Sequence, residues 1–213
     1  MYQPPYHRED RLPVQHALIR AYPLGTLITS GPGGLEGNPI PFILDEKAGS
    51  NGVLKSHIAR ANRQWREFDP QSEAMVVFMG PQTYVSPSWY VTKQESGKVV
   101  PTWNYACVHV YGLIRLIEDR DWLYSQIREL TELQERDRTS PWSVDDAPPG
   151  FITSMIEAII GIEITISRIE GKWKVSQNRN EADRQGIVAG LTASGDETDR
   201  AIADLVAGAD AKK

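Results

Sequence analysis

Three short segments carry residue types whose spacing suits the binding of a charged, planar ligand. In the first, Lys55-Ser56-His57 runs into Arg60, Asn62 and Trp65, a strand end leading to a helix start. A helix N-terminus presents unpaired backbone N–H groups and a positive dipole end, and Ser56, His57, Arg60 and Asn62 add donors suited to a phosphate. The same residues also read as a solvated basic helix anchored by Trp65. In the second, Trp103-Asn104-Tyr105 follows the aromatic run Tyr84 to Tyr90. Flat faces beside an amide that both donates and accepts suit a planar heterocycle, and they equally suit a core or a subunit contact. In the third, Trp173 to Arg179 offers Lys174 to a phosphate and Gln177 or Asn178 to a ring edge. The plain alternative is a hairpin strand followed by a helix cap.

Other chemistries leave no trace. There is no GxxxxGK[ST], GxGxxG, HExxH, CxxC or GxSxG, so the common signatures of nucleotide hydrolysis, Rossmann cofactors, zinc and acyl transfer are missing. His7, His16, His57 and His109 form no metal-ligand spacing, so no metal is expected, although His57 and His109 stay open as haem ligands. Cys107 is the lone cysteine and reads as a small buried hydrophobe. The formal net charge of -5 opposes a surface built to neutralise nucleic-acid phosphates. Two basic islands interrupt it, one with Lys55, Arg60, Arg63 and Arg66, the other with Arg168, Lys172, Lys174 and Arg179. No apolar run reaches the length of a membrane span, and the opening MYQPPYHRED has no secretory pattern, so a cytoplasmic protein without membrane contact is expected.

The elements that must hold these segments read as mainly β with α additions. An amphipathic helix is expected after Asp10, then strands over 24–30, 37–44 and 53–58 separated by Gly-rich turns. A helix over 59–68, a strand over 73–79, an extended stretch over 84–91 and one long strand over 102–118 follow. Residues 119–160 carry a helical insertion, after which the strand period returns in IEITISRI, turns at EGK and closes with WKVSQN. Two helices over about 180–208 finish the chain, one capped by Asn180 and one opening with a Ser194 to Glu197 capping box. Mostly antiparallel strands with this helical insertion suggest one small closed or split barrel domain spanning 1–213.

Taken in order, Met1-Tyr2 with Pro4 or Pro5, HIARAN with Trp65, YVSPSWY, VPTWNY, and WKVSQNR with Asp183, Arg184, Gly186 and Gly190-Leu191 give a specific match. On these the chain resembles the PaiB family of FMN-binding negative transcriptional regulators, departing from it in Tyr6-His7 where a Phe is common. The resemblance implies an FMN-binding split barrel related to pyridoxamine-phosphate oxidase, a homodimer with flavin sites at the subunit interface. It places Ser56, His57, Arg60 and Asn62 at the phosphate side, with Trp65 beside them, and Trp103, Asn104, Tyr105, Lys174, Gln177 and Asn178 near the ring or reaching it from the partner. It also implies transcriptional repression with flavin as ligand or sensor, and DNA as a partner. The charge speaks against DNA, since the last helix sets Asp196, Glu197, Asp199 and Asp204 against Arg200. An FMN-dependent oxidoreductase using a reduced nicotinamide or small reductant is the alternative, and a haem-binding split barrel the third.

Overall fold

The structure is a computed structural model that describes residues 1–209. Its first elements are β1 (Arg8–Glu9), α1 (Leu12–Ala21), β2 (Leu24–Gly31), β3 (Gly34–Pro41), β4 (Ile43–Asp45), β5 (Val53–Ala59), α2 (Gln64–Glu67) and β6 (Ala74–Val85). There follow α3 (Thr92–Ser96), β7 (Thr102–Gly112), β8 (Ile114–Ile117), α4 (Arg120–Glu135), α5 (Pro149–Glu157), β9 (Ile159–Thr165), β10 (Arg168–Lys174), α6 (Glu181–Ser194) and α7 (Glu197–Ala207). The chain divides into two compact units, each gathered from separated stretches. The first comprises Met1–Leu18, Met79–Val108 and the described residues from Glu170 onward, and the second comprises Ile19–Phe78 and His109–Ile169.

In the first unit β1, β10, β7 and β6 lie side by side in that order. β1 pairs antiparallel with β10, Glu9 opposite Gly171, where a Cβ would stand 2.7 Å from the Glu9 carbonyl oxygen, so only glycine allows this approach. Beside the strands, α6 and α7 pack on each other through Ile187, Leu191, Ile202, Ala203 and Val206, in one cluster with Val85, Tyr90 and Val175. Burying such an aliphatic side chain is worth roughly 1.5–3 kcal/mol, so this cluster fixes the helices. The Asn180 side chain caps α6 by accepting from Asp183 N at 2.8 Å.

In the second unit β2 pairs with β3 along its whole length, and Thr26 to Ile28 pair with Met75 to Val77 of β6. A separate antiparallel sheet runs β4, β5, β9, β8. Leu54, Ile58, Ile160, Ile162 and Ile164 are buried along β5 and β9, the alternation expected of strands with one face on a core. The helices α4 and α5 belong to this unit.

Several expected elements are redrawn. The helix over 59–68 is the single turn α2, because β5 runs on to Ala59 and the chain then turns. The strand over 37–44 breaks at Phe42: β3 ends at Pro41, which has no N–H to donate, and β4 pairs with β5 instead. The strand over 102–118 breaks at Leu113, so that β8 pairs with β9. The turn expected at EGK lies at Ile166-Ser167, which leaves Gly171 and Lys172 within β10 and ends that strand at Lys174. The Ser194 to Glu197 box is replaced by Asp196, whose carboxylate accepts from Thr198 N and Asp199 N, after Gly195 closes α6 at φ 77°.

Candidate functional site

Where β10 ends, the chain turns sharply through Ser176, whose φ of 61° is the only positive value at a non-glycine residue among those described. A side chain held in the left-handed region needs compensation. It comes from Asn104 on β7, fully buried, whose Nδ2 donates to Ser176 Oγ at 3.0 Å while Ser176 Oγ donates back to Asn104 Oδ1 at 3.2 Å. Gln177 braces the same turn: its Oε1 accepts from Val175 N at 2.9 Å and its Nε2 donates to the Trp173 carbonyl at 2.6 Å. With Oε1 so fixed as acceptor, the His7 Nδ1 at 3.0 Å from it must carry the proton.

This turn forms one wall of a pocket of about 190 Å³ lined by Tyr6, His7, Val100, Pro101, Thr102, Asn104, Lys174, Ser176, Asn178 and Arg179. Lys174 donates to Thr102 Oγ1 and to the Trp103 carbonyl oxygen, both neutral acceptors. Arg179 stacks on the Tyr90 ring with its guanidinium carbon 4.6 Å from the centroid. Behind them the Lys172 ammonium sits 5.5 Å from the Tyr2 and Tyr105 rings. No acidic side chain lines the pocket, and none of these three cations has an ion-pair partner among the described residues. The physical result is an uncompensated positive potential. Burial and the Lys172 charge hold the Lys174 ammonium below its ordinary value. Burial, with Lys172 and Lys174, lowers the His7 imidazole against the opposing Gln177 bond.

Of the residues expected at the site, the structure brings Asn104, Lys174 and Asn178 into this pocket. Gln177 stands behind it as a brace, Tyr105 lies against Lys172, and Trp103 is 53% exposed in edge-to-face contact with Tyr84 at 6.5 Å. Thr102, Ser176 and Arg179 lie in the segments singled out by the sequence but were given no role there, and Tyr6 and His7 carried no signal for this site.

The first expected segment belongs to the second unit, where its polar atoms already have partners. Ser56 is fully buried and donates to the Pro41 carbonyl oxygen at 2.6 Å. His57 Nδ1 meets Gln126 Oε1 at 2.7 Å, and Arg60 pairs with Glu118 at 3.0 Å. Asn62 Oδ1 accepts from Gln64 N, and Trp65 Nε1 donates to the Arg60 carbonyl at 3.0 Å. With α2 only one turn long, this segment has no helix N-terminus of the kind expected.

The family model described as "Putative FMN-binding domain" matches residues 1–168. The chain belongs to this FMN-binding family. Its cofactor is accordingly FMN. The PaiB resemblance is borne out by the Bacillus subtilis protein named protease synthase and sporulation protein PAI 2, 30% identical over 206 residues that cover 97% of this chain and 96% of that one. An uncharacterized protein of Emericella nidulans is 36% identical over 241 residues, with 97% and 96% of the two chains covered. Among solved structures, the flavocytochrome Anf3 from Azotobacter vinelandii aligns with a TM-score of 0.58 at 15% identity, covering 84% of this chain and 75% of that one. An FAD and heme binding protein from Mycobacterium smegmatis aligns with a TM-score of 0.57 at 16% identity, covering 86% and 80%. The fold is the flavin-binding split barrel. The pocket's donor set fits one end of FMN: cations, hydroxyls and amides with no carboxylate to repel a phosphate, in a volume below the roughly 300–1,000 Å³ of a pocket that encloses a whole ligand.

Proposed function

We propose that this FMN-binding chain is an oxidoreductase that works as a homodimer, in which two copies complete each flavin site and a reduced nicotinamide or other small reductant supplies the electrons. The observation that carries the binding reading is Lys174, a half-buried cation in a small pocket with only neutral partners. FMN, when bound, supplies the redox chemistry, so the protein need only bind, orient and exclude competing reactions. In this reading Lys174, Asn104, Asn178 and Arg179 hold one part of the cofactor. The exposed Trp103, Tyr84, Val100 and Met79 of the first unit are apolar surface that a second copy would cover.

Repression through DNA has less support. The α6–α7 pair is the sequence's sole candidate for a helix-turn-helix, and its apolar residues are spent on each other and on Val85, Tyr90 and Val175. Of the two cations in the pair, Arg184 is buried and donates to the carbonyl oxygens of Val206 and Ala209 at the end of α7, and Arg200 is exposed among Glu197, Asp199 and Asp204. What α7 leaves outward is largely acidic, which phosphates repel.

The deciding experiment is an absorption spectrum of the purified protein, followed by NADPH without oxygen, with sedimentation to count subunits. A flavin band that bleaches supports the oxidoreductase. A flavin band that persists, together with a salt-resistant and sequence-dependent gel shift, would establish the regulator instead, and a sharp haem band would move the chemistry to His57 or His109.

A further inference from the structure

The pocket beside β10 does more than contribute generic contacts. Lys174 has three N–H bonds, of which two are directed at Thr102 Oγ1 and the Trp103 carbonyl oxygen, leaving one without a partner in the structure. Arg179 lies with its guanidinium carbon 4.6 Å from the Tyr90 ring centroid and lines the same pocket, and a guanidinium can meet a phosphate through two N–H bonds at once. Asn178 is exposed at the rim. The strained turn at Ser176, with its reciprocal bonds to Asn104, fixes Lys174 before it and Arg179 after it on the same pocket wall. The two side chains carry a combined charge of two with no acid to balance it. A phosphate monoester carries close to two negative charges at neutral pH.

We propose that Lys174 and Arg179 form the seat of a phosphate monoester dianion, with Asn178 as a further donor and Asn104 and Ser176 setting the geometry. This rests on the FMN-binding reading for one of its two sources, the terminal phosphate of the flavin; the other source is the phosphate of a separate small substrate. If the flavin is the source, the phosphate end lies at Lys174 and not at Ser56 to Asn62, where Ser56 is sealed beneath the Pro41 carbonyl and Arg60 is already paired with Glu118.

The test titrates FMN and riboflavin into the full chain and into Lys174→Met and Arg179→Met, and measures thermal stabilisation of the flavin-loaded proteins by inorganic phosphate at constant ionic strength. If the flavin phosphate occupies the seat, wild type prefers FMN to riboflavin by about tenfold or more, and each variant loses that preference while riboflavin binding stays unchanged. If a separate substrate supplies it, flavin binding is untouched in the variants and stabilisation by inorganic phosphate disappears. Lys174→Arg, which keeps the charge, should retain either signal and guards against a folding defect. A protein that takes no flavin yet is stabilised by phosphate through Lys174 would end the flavin reading and keep the seat. The proposal is overturned if neither the FMN preference nor the phosphate stabilisation depends on Lys174 or Arg179.

Discussion

Asn104 and Ser176, 72 residues apart in the chain, exchange two hydrogen bonds in the buried floor of the pocket, at 3.0 and 3.2 Å. The pair holds Ser176 at a φ of 61°, where glycine would be at no disadvantage. The two positions should therefore respond differently to change. Asn104→Ala leaves the Ser176 hydroxyl buried without its partner and should cost about 1–3 kcal/mol in urea unfolding, with a loss of flavin affinity. Ser176→Gly leaves the buried Asn104 amide unpaired in turn but relieves the backbone, and should cost less than Asn104→Ala by about 0.4–1 kcal/mol. Equal losses from both would mean that the backbone strain has no weight.

Asp183 anchors the segment that leads into the pocket wall at Val100 and Pro101. Its carboxylate, 1% exposed, accepts from Thr92 N at 3.0 Å and from Thr92 Oγ1 at 2.7 Å. Asp183→Ala strands both donors, and the expected outcome is a loss of about 1–3 kcal/mol together with faster tryptic cleavage at Lys93 and Lys98, which lie on the exposed stretch that Thr92 pins. Unchanged cleavage would show that this stretch is held elsewhere.

What was legible in the sequence divides by the range of the interaction. The period-2 runs of β2, β5 and β9 and the Asn180 cap depend on neighbours within a few residues, and the pattern shows them. Phe42 and Leu113 are different: Pro41 and Gly112 before them mark a place where a strand can break, but partners far along the chain decide that β4 and β8 leave for the other sheet. The same holds for the site. Lys174 and Asn178 stand out by type, whereas His7 and Thr102 enter the pocket because residues 170 positions and 72 positions away meet them. Ser56 makes the same point: a serine before a basic stretch suggests a phosphate ligand, and the pattern does not show that its position on β5 turns the hydroxyl onto the Pro41 carbonyl.

His7 should give the fold a pH dependence. Its imidazole is held below the ordinary value first by burial, then by Lys172 and Lys174, with the Gln177 bond opposing. The unfolded chain therefore takes up this proton more readily than the folded one, so stability is complete above about pH 6.5 and is lost as pH falls from there through the lowered folded value. The melting midpoint of wild type should fall between about pH 7 and about pH 5.5 more steeply than that of His7→Gln. Parallel curves would assign the acid sensitivity to other groups.

Gly186 and Gly190 lie one turn apart on α6, and both face Trp89: a Cβ at 186 would run into the Trp89 carbonyl oxygen and one at 190 into the indole ring. In an open helix, replacing glycine by alanine gains about 1 kcal/mol. Here the sign should reverse, with Gly190→Ala destabilising by about 1–3 kcal/mol because neither the helix nor the ring can retreat without disturbing the cluster of Ile187, Leu191 and Val206. The decisive measurement is the cycle with Trp89→Ala. Without the indole, Gly190→Ala should return to the stabilising sign of an ordinary helix, whereas Gly186→Ala should stay destabilising in the same background, since its obstacle is the Trp89 backbone and not the side chain.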